Sequence, residues 1–284
     1  MIREAPFVRE HGPKLYLRWL HAEEGAAGPR ALLLIVHGYG EHGGRYRRLM
    51  RNLAGHGIST CAVDCRGFGA SSGRSADVVD VDEYLQDIED ALGAARSRLG
   101  VNLPPFVLGH SQGGLLAMRF AQQCPETALA GLVVSSPAIA FARLPWTANL
   151  AKVLARLPWV NRWAFRSGVD FGALTHDRQV MEELAQDPLV VHTATARWLV
   201  AMQAAQRAVV TGADRIRIPF LMQLAGDDRI VLSEVSHLCF EDVGSSDKSL
   251  REYDRAYHEL YQELPAFGGE QAVSDLVAWI AARS

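Results

Sequence analysis

The sequence predicts an α/β fold: a mostly parallel central sheet flanked by helices and interrupted by a helical insertion. Three observations carry this. Through the first half, short apolar runs alternate with segments of helical spacing, as a parallel sheet with crossover helices requires. Runs such as LLLIV are apolar at every position, which suits strands covered on both faces. After Pro137 the alternation stops, tryptophan and proline become frequent, and the alternation resumes near Gly212.

Taken in order, Lys14–Leu20 alternates polar and apolar residues and reads as an antiparallel strand at the sheet edge. Strands follow at Ala31–Val36, Ile58–Val63, Phe106–Leu108 and Leu129–Val134, with helices at Arg45–Ala54, Val81–Leu99 and Gln112–Cys124 between them. No strand is evident in the insertion. There Trp146, Leu150, Val153, Leu154 and Leu157 form an apolar stripe at helical spacing, and Trp159 and Trp163 follow closely. The stripe reads either as packing against the body or as a lining for an acyl chain or a lipid interface. Then come IPFLMQLAG (strand), Ser233–Val243 (helix), KSLREY (strand) and Gln271–Ala282 (helix). The expected division is a core at 1–137 and 213–284 with a helical cap at 138–212.

Bulk properties exclude several classes. The 284 residues are 49% hydrophobic and 21% charged, with net charge −3, so neither a nucleic-acid footprint nor a polybasic membrane patch is expected. The longest aliphatic run is too short to span a bilayer. MIREAPFVREHG carries charges where a signal peptide needs an apolar stretch, and a cytoplasmic location is expected. The four cysteines show no C-x-x-C and read as reduced thiols; the ten histidines show no H-E-x-x-H. No metal and no cofactor is expected.

Gly38-Tyr39-Gly40-Glu41-His42-Gly43 is literally G-x-G-x-x-G, and Asp64 ends the next strand. A dinucleotide-binding oxidoreductase is therefore one reading. The pattern G-x-S-x-G occurs twice, around Ser71 and around Ser111. A nucleophile elbow needs a buried strand entering and a helix leaving at once. Ser111 has both, PPFVL before and QGGLLAMRFAQQC after, whereas Ser71 lies in a run of turn residues. A serine hydroxyl needs an oriented base to take its proton. Asp227 and Asp228 follow one predicted strand and His258 follows the next, so both loops open at the sheet end where the elbow does. His237 falls in a predicted helix, His176 and His192 in the insertion, and His11 and His21 near the edge strand. His110 reads as a packing residue.

The pieces HGYGEHGGRY, DCRGFGASSG, LGHSQGG, QDPLV, IPFLMQLAGDDRIV and AYHELYQELP, in this order from about residue 35 to 265, resemble the monoacylglycerol lipase and lysophospholipase branch of the α/β-hydrolases. The resemblance implies an α/β-hydrolase fold and hydrolysis of lipid esters through an acyl-enzyme. It implies a triad of Ser111, Asp228 and His258, with Asp228 rather than Asp227 as the acid, and backbone N–H groups of Tyr39 and Gln112 as the oxyanion hole. It also implies that Glu41, His42, Arg45 and Tyr46 shape the oxyanion turn, contact of Glu41 and Arg45 with substrate being the alternative. Tyr261, a further candidate for substrate contact or loop support, stands where glycerol-ester hydrolases of this branch tend to have a second histidine, so head-group specificity does not carry over. A general carboxylesterase and a non-catalytic binding module are the other readings.

Overall fold

The computed structural model describes residues 1–9, 12–22, 28–142 and 161–284. An eight-stranded sheet runs in the order β1 (Arg3–Phe7), β2 (Leu15–Leu20), β4 (Ile58–Asp64), β3 (Ala31–Val36), β5 (Pro105–His110), β6 (Gly131–Ser135), β9 (Phe220–Ala225), β10 (Lys248–Tyr253). β2 is antiparallel to both of its neighbours, and from β4 to β10 every pairing is parallel. Two short strands, β7 (Ala164–Arg166) and β8 (Thr193–Thr195), pair antiparallel by themselves.

Parallel strands alternate their side chains between two covered faces, and β3 shows the result. Leu32, Leu34 and Val36 belong to one apolar core, Leu33 and Ile35 to the other. The first core packs under the helices Asp82–Leu99, Gln112–Gln123 and Ala196–Thr211, the second under Arg47–Gly55 and Gly269–Ala281. Every β3 residue is buried. Truncating one such leucine to alanine is expected to cost about 2–5 kcal/mol, the lost transfer energy plus the cavity left behind.

Two expectations need correcting. Leu15–Leu20 is antiparallel as expected but is not the edge, because Arg3–Phe7 pairs outside it. The edge segment REAPF carries charges and a proline, which blunt an outer strand and mask its pattern. The insertion also contains strand, since β7 and β8 fall within it; three residues each are too few for a period to register. The Trp146–Leu157 stripe and Trp159 lie outside the described residues. Among the described residues no helix is long and apolar enough to cross a membrane.

Because β3, β5, β9 and β10 run in one direction, their C-terminal ends open at the same edge. The loops after them carry Gly38–Glu41, Ser111, Asp228 and His258, the usual place for a site in an open α/β sheet.

Candidate active site

Strand β5 passes into the helix Gln112–Gln123 with one residue between them, Ser111 at φ 52°, ψ −116°. Positive φ is unfavourable for an L-residue, so the surroundings must hold it. The Ser111 amide donates to Ser135 O at 2.9 Å, and its carbonyl accepts from Ala138 N at 2.9 Å and Leu115 N at 3.1 Å. None of these uses the hydroxyl. The flanking glycines are required by close approach: a Cβ on Gly113 would lie 2.1 Å from Val36 O, and one on Gly109 would lie 2.2 Å from Gly113 O. The strand-to-helix turn closes only without those side chains.

Gln112 opens the helix, so its amide is one of the first-turn donors that have no partner within the helix. Gly38 lies against the elbow from the β3 side, where a Cβ on it would sit 3.2 Å from Ser111 Cβ. The Tyr39 amide follows directly. His37 fixes the start of this turn. Its Nε2 accepts from Cys65 N at 3.0 Å, which leaves the proton on Nδ1 for Gly38 O at 2.7 Å. Burial lowers the His37 pKa, keeping the ring neutral in that role.

Asp228 and His258 form a buried pair. His258 Nδ1 lies 2.7 Å from Asp228 Oδ2, with side chains 2% and 1% exposed. Asp228 Oδ1 accepts from Ile230 N at 2.9 Å and Val231 N at 3.0 Å. Burial opposes the charged imidazole, yet the Asp228 charge and hydrogen bond, helped by Glu259 and Glu41, place His258 above its ordinary value. Burial likewise opposes the carboxylate, and His258 with the two amides still holds Asp228 below its ordinary range. Asp227 points outward, nearly half exposed, against Arg229 at 2.8 Å. Of the two acids, only Asp228 reaches the histidine loop's ring.

One cavity gathers Gly38, Tyr39, Ser111, Gln112 and His258. Leu115, Phe141, Phe171, Leu174, Trp198 and Met202 make much of its wall apolar, and Glu41, Arg45 and Glu259 form a polar end. His110 packs beside His258, ring centroids 4.9 Å apart, and burial drives its pKa down to about 3. It is a neutral wall residue. Tyr261 is placed elsewhere: it is buried on the far side of His258's loop with its hydroxyl donating to Gln223 Oε1. Neither Tyr261 nor Asp228 is among the cavity-lining residues.

The remaining predicted residues surround the turn. Glu41 Oε1 accepts from Gly38 N at 2.6 Å and from Tyr46 Oη at 2.7 Å, and Arg45 lies 2.9 Å from Glu41 Oε2. Because His42 Nδ1 accepts from Gly44 N at 3.1 Å, its Nε2 donates to Asp187 Oδ2 at 2.8 Å. Asp64 is buried, taking Gly43 N, Ala70 N and Arg18. A ribose could not compete with those partners. Two residues escaped the sequence reading: Asp187, inside QDPLV, which receives His42, and Glu259, beside His258, which binds Arg45 through both oxygens. A charged residue next to a histidine destined for burial was the available signal for Glu259.

Residues 27–265 match the family described as serine aminopeptidase, S33. The chain belongs to this family. Within reach of it, human monoglyceride lipase is 32% identical over 244 residues, covering 84% of this chain and 78% of that protein. Monoacylglycerol lipase of Mycolicibacterium smegmatis is 30% identical over 261 residues, 89% of this chain and 88% of that protein. The crystal structure of the Paleococcus ferrophilus monoacylglycerol lipase superposes with a TM-score of 0.83 at 30% identity, covering 95% of this chain and 99% of that one. The fold is that of the α/β-hydrolases. Among the described residues no group of His, Cys, Asp or Glu is gathered to hold a metal ion.

Proposed function

We propose that this protein is a serine hydrolase of lipid-type carboxylic esters, monoacylglycerols or lysophospholipids, acting through an acyl-enzyme. Ser111 Oγ attacks the ester carbonyl while His258 Nε2 takes its proton. The amides of Tyr39 and Gln112 hold the oxyanion of the tetrahedral intermediate. The proton on His258 passes to the leaving oxygen as the C–O bond breaks, releasing the alcohol and leaving Ser111 acylated. Water then adds to the acyl carbon with its proton going to His258, which returns it to Ser111 as the fatty acid departs. Asp228 keeps the His258 proton on Nδ1 and stabilises the imidazolium.

The observation that carries this reading is Ser111, at a strained elbow, facing the same apolar-walled cavity as a histidine already paired with a buried carboxylate. The relatives named above as monoglyceride lipases support the substrate class. Residues 138–212 would form a cap over the cavity. Contact with a lipid surface would use its outer apolar side chains: Trp163 is 60% exposed, and Phe165, 40% exposed, also lines the cavity. A cytoplasmic location suits the four cysteines, all free.

Hydrolysis rates across esters of graded chain length, with monoacylglycerols and lysophospholipids included, test the proposal. Longer acyl chains should outperform acetate in kcat/KM. Equal rates would make this a general carboxylesterase. No ester turnover, together with no labelling of Ser111 by a fluorophosphonate, would refute the enzyme.

A further inference from the structure

The turn that carries Tyr39 and the loop that carries His258 lie far apart in sequence, and a buried ion triplet joins them. Arg45 Nη1 lies 2.9 Å from Glu41 Oε2 and 2.5 Å from Glu259 Oε1, while Nη2 lies 2.7 Å from Glu259 Oε2. The three side chains are 5–8% exposed. On one side Glu41 holds the Gly38 amide at 2.6 Å. On the other, Gln262 Nε2 donates to Arg45 O at 2.6 Å and the Glu259 amide donates to Leu174 O at 2.8 Å. An unbroken path therefore runs from Gly38, one residue before Tyr39, to Glu259, one residue after His258.

Buried ion pairs are weak evidence for stability, because desolvation offsets most of the attraction. A guanidinium fork gripping a carboxylate through both oxygens is strong evidence of fixed geometry. Two carboxylates also face one guanidinium, which leaves surplus negative charge close to His258. The groups around that imidazole are Asp228 from the loop after β9, Glu259 from its own loop, Glu41 and Arg45 from the segment after β3, and His110 from the elbow.

We propose that Glu259 is a positioning residue of this hydrolase: through Arg45 and Glu41 it holds His258 in register with the turn that presents the Tyr39 amide. The proposal rests on the ester-hydrolase reading above. Length and charge of the side chain have separable consequences. Glu259→Asp keeps the charge but withdraws the carboxylate from the fork. It should lower kcat on the order of tenfold, as small misplacements do, with KM and the His258 titration near wild type. Glu259→Gln keeps the length but removes the charge, so the His258 titration and the acid limb of kcat/KM should move to lower pH, by roughly half a pH unit or more.

The experiment compares wild type and both variants in ester kinetics against pH, in the NMR titration of the His258 ring, in exchange of the Gly38 amide proton and in thermal melts. Faster Gly38 exchange in Glu259→Asp, without loss of the fold, is the expected mark of a severed link. Wild-type kcat, titration and exchange in both variants would overturn the proposal. A loss of activity that follows the folded fraction, with the limb unmoved, would overturn it too. If the wild type cleaves no ester, the functional reading fails; the titration and amide exchange still decide whether Glu259 couples the two loops.

Discussion

Two segments of this chain spell G-x-S-x-G, and the fold uses them in opposite ways. At Gly109–Gly113 the glycines are demanded by neighbours: the backbone of β3 lies where a side chain on Gly113 would be. The serine is forced to positive φ with its hydroxyl outside the hydrogen bonds that hold it. At Gly69–Gly73 both glycines have positive φ, +55° and +115°, and a Cβ on Gly69 would lie 2.3 Å from the Asp64 carboxylate. There the serine is consumed locally, Ser71 Oγ donating to Asp64 O at 2.5 Å and accepting from Tyr16 N at 2.7 Å. A pattern of residue types does not define a nucleophile. What defines it is which atoms the surroundings leave unspent.

Ser111→Ala sets the upper bound of that contrast. It should abolish ester hydrolysis, on the order of 10⁴- to 10⁶-fold in kcat, with an unchanged melting curve; activity within tenfold of wild type would transfer the role elsewhere. Asp228→Asn comes next. It should cost about 10⁴-fold, because the amide favours the wrong tautomer of His258, whereas exposed Asp227→Asn should stay close to wild type. The reverse ranking in steady-state kinetics would exchange the two acids.

A smaller effect is the pH profile. In the proposed mechanism His258 must be neutral to accept the serine proton, and its pKa is raised, so kcat/KM should fall as pH drops through a value above 6.5. Asp228→Asn removes the largest of the influences that raise it and leaves burial, which lowers it, opposed only by Glu259 and Glu41, so the residual activity should persist to lower pH. An unmoved limb would show that another group sets it. Ser71→Ala closes the series. Activity should remain, while the orphaned Tyr16 amide should cost about 1–3 kcal/mol of stability, read in denaturant titration. Lost activity at full stability would contradict the division between the two serines.

Legibility in the sequence followed the same line between local and assembled structure. Ala31–Val36 was readable to the residue because a fully buried parallel strand is apolar throughout. The sharp turn at Ser111 was readable because strand, glycines and helix adjoin in sequence. β1 was hidden because an edge strand alternates charge and exposure. Tyr261 illustrates a different limit: its sequence position beside the histidine loop suggested the site, but the loop turns and sends the phenol to Gln223 instead. Glu259 for Arg45 and Asp187 for His42 were out of reach because they lie 214 and 145 residues away, and a charge does not announce its counterion.

The backbone at Ser111 also bears on descent. An L-residue held at φ 52° costs of order 1–3 kcal/mol, and glycine would remove most of that burden. The hydroxyl is the one thing glycine cannot supply. A lineage that ceased to need the reaction would gain stability by placing glycine here, with no other change to the fold. Under the proposed mechanism, serine in this conformation is a liability that use alone sustains, and its replacement by glycine in a descendant would mark the point at which the chemistry had been given up.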